Sequence, residues 1–94
     1  MEVHTPLEHF SRSLMNLSAT FIKEPHDPQF TNEYFVDAQA ESRAIQADEL
    51  TPEQCQDLSA TLHYIWLLTS HDARYTVIHV WLAGQLMRFA LLKP

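Results

Sequence analysis

Apolar residues recur near the start of the chain at Leu7, Phe10, Leu14, Leu17 and Phe21, in steps of three and four. That spacing draws one stripe down a helix. The helix start is written locally: Thr5 can cap, Pro6 has the φ of a first helical turn, and Glu8 stands where a capping box places its carboxylate. A helix is expected over 6–23, ended by Pro25 and Pro28.

The stretch from Glu24 to Thr31 holds two prolines and reads as a loop, with Asp27 or Thr31 as the cap of the next helix. That second helix is expected over 32–47. Phe35, Ala38 and Ile45 face inward with Ser42 between them, a thin stripe that marks it as the least buried helix. Leu50-Thr51-Pro52-Glu53-Gln54 then repeats the first start signal, with Leu50 placed to staple onto the first turn. Cys55, Leu58, Leu62 and Ile65 give a third helix its face, over 52–69. The residues flanking the two Thr-Pro signals do not match, so they are convergent capping chemistry and not an internal repeat.

Beyond a connector at 70–73, the pattern stops discriminating. Tyr75 to Leu82 is rich in β-branched and aromatic residues, as a strand would be, while Gln85 to Leu92 is made of helix formers. Ala83-Gly84 is a weak hairpin turn. The chain is therefore read as all-α, a small four-helix domain covering 1–94. Its helices lie at about 6–23, 32–47, 52–69 and 74–92, the last two forming a C-terminal helical hairpin. The alternative is an α+β fold with a C-terminal β-hairpin. In the helical reading Gly84 sits mid-helix, costing about 1 kcal/mol relative to Ala, and close approach of another helix is the expected reason for it.

Length and composition sharpen this picture. The chain has 94 residues with 46% hydrophobic, enough for a core, and a single glycine, too few for a many-stranded β fold. Its net charge of −6 argues against direct nucleic-acid binding. The charge is unevenly placed. Between residues 24 and 57, Glu24, Asp27, Glu33, Asp37, Glu41, Asp48, Glu49, Glu53 and Asp57 face only Arg43. Glu33, Asp37 and Glu41 are four apart, share a helical face, and have no compensating lysine. They are the candidate partner-binding residues, an acidic ridge suited to a basic protein surface.

The C-terminal part is the opposite. Tyr64, Trp66, Leu67 and Leu68 fall off the third helix's inward face, and apolar residues occupy nearly every direction of the last segment. An element that is apolar all round has to be covered all round, and self-association is the simplest cover. Trp66, Tyr75, Trp81, Gly84, Met87 and Arg88 are the candidate homodimer interface.

Little in the chain points to reaction chemistry. Six histidines are present, but no His pair at a four-residue spacing and no His-Glu-x-x-His motif. His63 and His79 could still meet across a helix pair, with His71 and Asp72 at its tip. Cys55 stands in a first helical turn, flanked by Glu53 and Asp57, which oppose thiolate formation. One cysteine excludes an internal disulfide. Phosphate-cradling loops, the Gly-x-Ser-x-Gly elbow and dinucleotide fingerprints are absent. A helix-turn-helix over 52–90 would offer only Arg74 and Arg88 to DNA from its second helix.

No signal peptide is read in residues 1–20, and no apolar run approaches a membrane span, so the expected compartment is the cytosol. The function expected is that of a non-enzymatic, homodimeric regulator of a protein partner with a basic surface, needing no cofactor. An antirepressor of the kind a phage or other mobile element encodes would work this way. The alternatives are a small secretion chaperone or assembly factor, and a small metal sensor or enzyme built on His63, His71 and His79.

Overall fold

The computed structural model describes residues 5–23 and 25–90. Among them are four α-helices and no strand: α1 (Pro6–Ile22), α2 (Pro28–Arg43), α3 (Pro52–Thr69) and α4 (Thr76–Ala90). The chain divides into two compact units, Met1–Ile45 and Gln46–Pro94.

In the first unit α1 packs on α2. Thr5 caps α1 by accepting from the Glu8 amide at 3.2 Å, with Pro6 in the first turn. Phe10, Leu14 and Leu17 are fully buried. The second helix starts at Pro28, not Asn32, because Asp27 wins the capping role: its carboxylate accepts from the Gln29 amide at 3.0 Å. With the start moved back, the helix ends at Arg43, and Gln46 is already extended. Its inward face is the expected one, with Phe35, Ala38, Ser42 and, just beyond the helix, Ile45 all buried.

Three polar contacts knit this pair. The Thr31 hydroxyl donates to Thr20 Oγ1 at 2.9 Å, and Thr20 donates onward to the Leu17 carbonyl at 2.7 Å, so both buried hydroxyls are satisfied. His26 Nδ1 lies 2.9 Å from the Thr20 carbonyl, one of the last carbonyls of α1, which a ring N–H there satisfies. Ser13 Oγ donates to Glu41 Oε2 at 2.8 Å.

In the second unit a short 3-10 turn, Ala47–Glu49, leads to α3. Thr51 and Gln54 form the full capping box: the Thr51 amide donates to Gln54 Oε1 at 2.9 Å, and the Gln54 amide donates to Thr51 Oγ1 at 3.1 Å. Cys55, Leu58, Leu62, Ile65 and Thr69 are its buried face. A second 3-10 turn, Ala73–Tyr75, is capped by Asp72 and feeds α4, which packs on α3. The C-terminal segment is thus helical and not a β-hairpin. It starts two residues later than expected, and positions 91 and 92 lie outside the described residues. Ile78, Leu82 and Phe89 are buried, steps of four and seven that only a helix brings onto one face.

Candidate functional site

The acidic ridge lies on α2. Glu33 and Asp37 are exposed, while Glu41 is half-buried and held by Ser13. Glu33 is also within 3.4 Å of Gln29 Nε2, one turn back. The ridge therefore offers two outward carboxylates, with the third turned into the α1 contact.

Next to it is a feature that the sequence reading missed. Asn16, Ala19, Thr20 and Lys23 of α1 and its cap, with Phe30 and Tyr34 of α2, line an open hollow of about 210 Å³. Lys23 Nζ sits 6.0 Å from the centroid of the Phe30 ring, which is 47% exposed. Phe30, Tyr34, Asp37 and Glu41 are spaced four, three and four apart, so the apolar lining and the acids share one stripe of α2. That spacing was legible; the α1 side of the hollow was not.

On α4 the candidate interface residues separate. Gly84 and Met87 are exposed, whereas Trp81 and Arg88 are half-buried. Arg88 reaches Gln85 Oε1 at 3.3 Å and lies 4.8 Å from the Phe89 ring centroid. Val77 and Val80, not among the residues singled out, are 71% and 65% exposed. Val77, Val80, Gly84 and Met87 follow one another at three, four and three, opposite the buried Ile78, Leu82 and Phe89. Among the described residues a Cβ at Gly84 would meet nothing within 4 Å. The close approach of another helix expected at Gly84 is therefore not made by α3, and the position stays open on the outer face of α4.

Trp66 and Tyr75 lie off this stripe. Trp66 stacks on His79 of α4 at 4.6 Å between centroids and on His63 at 5.9 Å, so it helps to pin α3 to α4. Thr69 Oγ1 lies 3.0 Å from the Trp66 carbonyl and 2.9 Å from His79 Nδ1. A hydroxyl has one proton; given to the carbonyl, it leaves Oγ1 to accept from the ring N–H. Among the described residues the buried indole Nε1–H finds no acceptor. Tyr75 is half-buried in the connector under the Arg74 guanidinium, 5.3 Å from its ring centroid.

Among the described residues no group of three or more His, Cys, Asp or Glu side chains is placed to hold a metal ion. His63 and His79 pack on the indole, and His71 is exposed in the connector. Cys55 is a buried thiol on the inward face of α3. Arg74 is held above its ordinary pKa by its hydrogen bond to Asp72 and then by that carboxylate's charge. Its Nη2 is 2.7 Å from Asp72 Oδ2. Among the described residues no helix is long and apolar enough to cross a membrane.

These features define a class by fold alone: an all-α chain of two helix pairs, one bearing an acidic face beside a hollow, the other an exposed apolar stripe. Comparison with family models, with curated proteins and with solved structures finds no match for this chain.

Proposed function

We propose that the protein is a non-enzymatic regulator that works as a homodimer, pairing through the outer stripe of α4 and engaging a basic protein surface through α2. The observation that carries this reading is the stripe itself. Val77, Val80 and Met87 are 71%, 65% and 62% exposed on one helix face, with Gly84 between them. Fully burying one such side chain is worth roughly 1.5–3 kcal/mol, so three in a row favour association. A two-fold axis covers the stripe on both copies with one interface, and the open space at Gly84 admits a second helix.

One helix stripe covers less than the roughly 800 Å² per partner of a standard interface, so the dimer is expected to be of micromolar strength. The α2 face, on the other helix pair, is the one read as meeting the partner. Displacement of nucleic acid from a regulator's basic surface, as by an antirepressor, is the activity that this face fits best.

Light scattering on the full chain tests the dimer. A mass near twice 10.9 kDa is expected at about 100 µM. Gly84→Leu should return it to monomer with its helix content intact. A monodisperse wild-type monomer at that concentration would sink the proposal.

A further inference from the structure

Resting on the reading of α2 as the partner-binding face, we propose that the hollow beside it seats one bulky apolar side chain of a basic amphipathic helix. Size argues first. At about 210 Å³ the hollow is larger than a cavity of about 150 Å³ that takes benzene, yet smaller than the roughly 300–1,000 Å³ of small-ligand clefts. It suits one aromatic or large aliphatic side chain.

The lining argues next. Phe30 is 47% exposed and Tyr34 half-buried, so an incoming ring would meet two aromatic side chains and the methyl of Ala19.

Charge selects the rest of the occupant. From Phe30 the same stripe of α2 runs on to Asp37, seven residues or about 10 Å along the helix, with Glu33 beside it. Lysines or arginines one and two turns from the anchor would face these carboxylates. Lys23 and the Asp27 cap stand together at the opposite, Phe30 end of the hollow. The surplus of acid therefore lies on the Glu33–Asp37 side, which favours cations there.

The test uses a labelled helical peptide with one Trp and with Lys four and seven positions after it, titrated into the full chain by fluorescence anisotropy. Ala19→Leu fills the hollow from an exposed position, and should weaken binding by about tenfold with unchanged circular dichroism. Glu33→Gln combined with Asp37→Asn should weaken it about fivefold and flatten its salt dependence. Replacing the peptide's Trp by Ser should abolish binding, and replacing its lysines by Glu should do the same. If the double variant weakens binding but Ala19→Leu and Trp→Ser do not, the acidic face stands and the anchor is overturned. A peptide that binds equally well to every variant, or not at all at about 100 µM, overturns both readings.

Discussion

Replacing Gly84 by alanine should stabilise the chain by about 1 kcal/mol. The residue lies inside α4 (Thr76–Ala90) and is exposed. A Cβ built there meets nothing within 4 Å. No steric cost offsets the gain, which comes from the backbone freedom that glycine retains when unfolded. For a chain of this size 1 kcal/mol is about 4–8 °C in Tm, or roughly 0.5 M in urea midpoint at an m-value near 2 kcal/mol/M. Circular dichroism at low micromolar concentration reads both.

The same experiment at high concentration separates two roles of the position. If α4 pairs with a second α4 across Gly84, the wild type gains stability with concentration and the alanine variant gains less. Leucine is nearly as good a helix former as alanine, so Gly84→Leu should be as stable as the wild-type monomer or more so, and unable to pair. A lower midpoint for Gly84→Ala at low concentration would refute the reasoning, because it would mean that something already fills that space.

Three further outcomes follow from local contacts. Glu41→Ala should cost about 1 kcal/mol, since Ser13, only 7% exposed, loses its acceptor. Glu41→Gln keeps an acceptor and should cost less; equal losses in urea melts would mean that charge, not the hydrogen bond, matters there. Burial pushes the Tyr75 phenol above its ordinary pKa of 10.0. The folded chain therefore holds that proton more tightly, and stability is lost as pH rises from the unfolded value through the folded one. Tyr75→Phe should flatten the alkaline limb of a stability–pH profile, and an unchanged limb would assign it to other groups. Thr51→Ala should cost about 1 kcal/mol by dismantling the capping box, and a denaturant midpoint equal to wild type would show the box to be idle.

What was legible in the sequence follows from where the information sits. The third helix was readable to the residue, because Thr51, Pro52 and Gln54 fix its start and Cys55, Leu58, Leu62 and Ile65 fix its face within one segment. The second was misplaced at its start by four residues because Asp27 and Thr31 both qualified as caps. Pro28 breaks the tie, since it takes the first-turn place that Pro6 and Pro52 hold elsewhere. Residues 75–82 looked strand-like, since β-branched propensity is a weak preference that packing overrides. Burial of Ile78, Leu82 and Phe89 decides for the helix.

The site was less legible. Glu41 looked like a third free carboxylate, and its partner Ser13 lies 28 residues away. The hollow needs side chains from two helices at once, so neither helix's pattern announces it. The stacking of Trp66 on His63 and His79 was not legible, because it depends on how α3 meets α4.

The cap-and-proline starts of α1, α2 and α3 also determine where the chain can be edited. Each helix is indexed from its own first residues, so length changes upstream of a cap do not propagate into it. One extra residue between Ala47 and Leu50 should be absorbed by the 3-10 turn, leaving the capping box to restart α3 in phase. The same residue inserted after Gln54 would rotate everything downstream by about 100°, swinging Leu58, Leu62 and Ile65 off the buried face and Asp57 and Tyr64 toward it. Two insertions five to seven positions apart thus have opposite fates, and soluble yield with circular dichroism tells them apart. Linkers, tags or permuted termini belong just ahead of Asp27 and Thr51, where the helix numbering begins afresh.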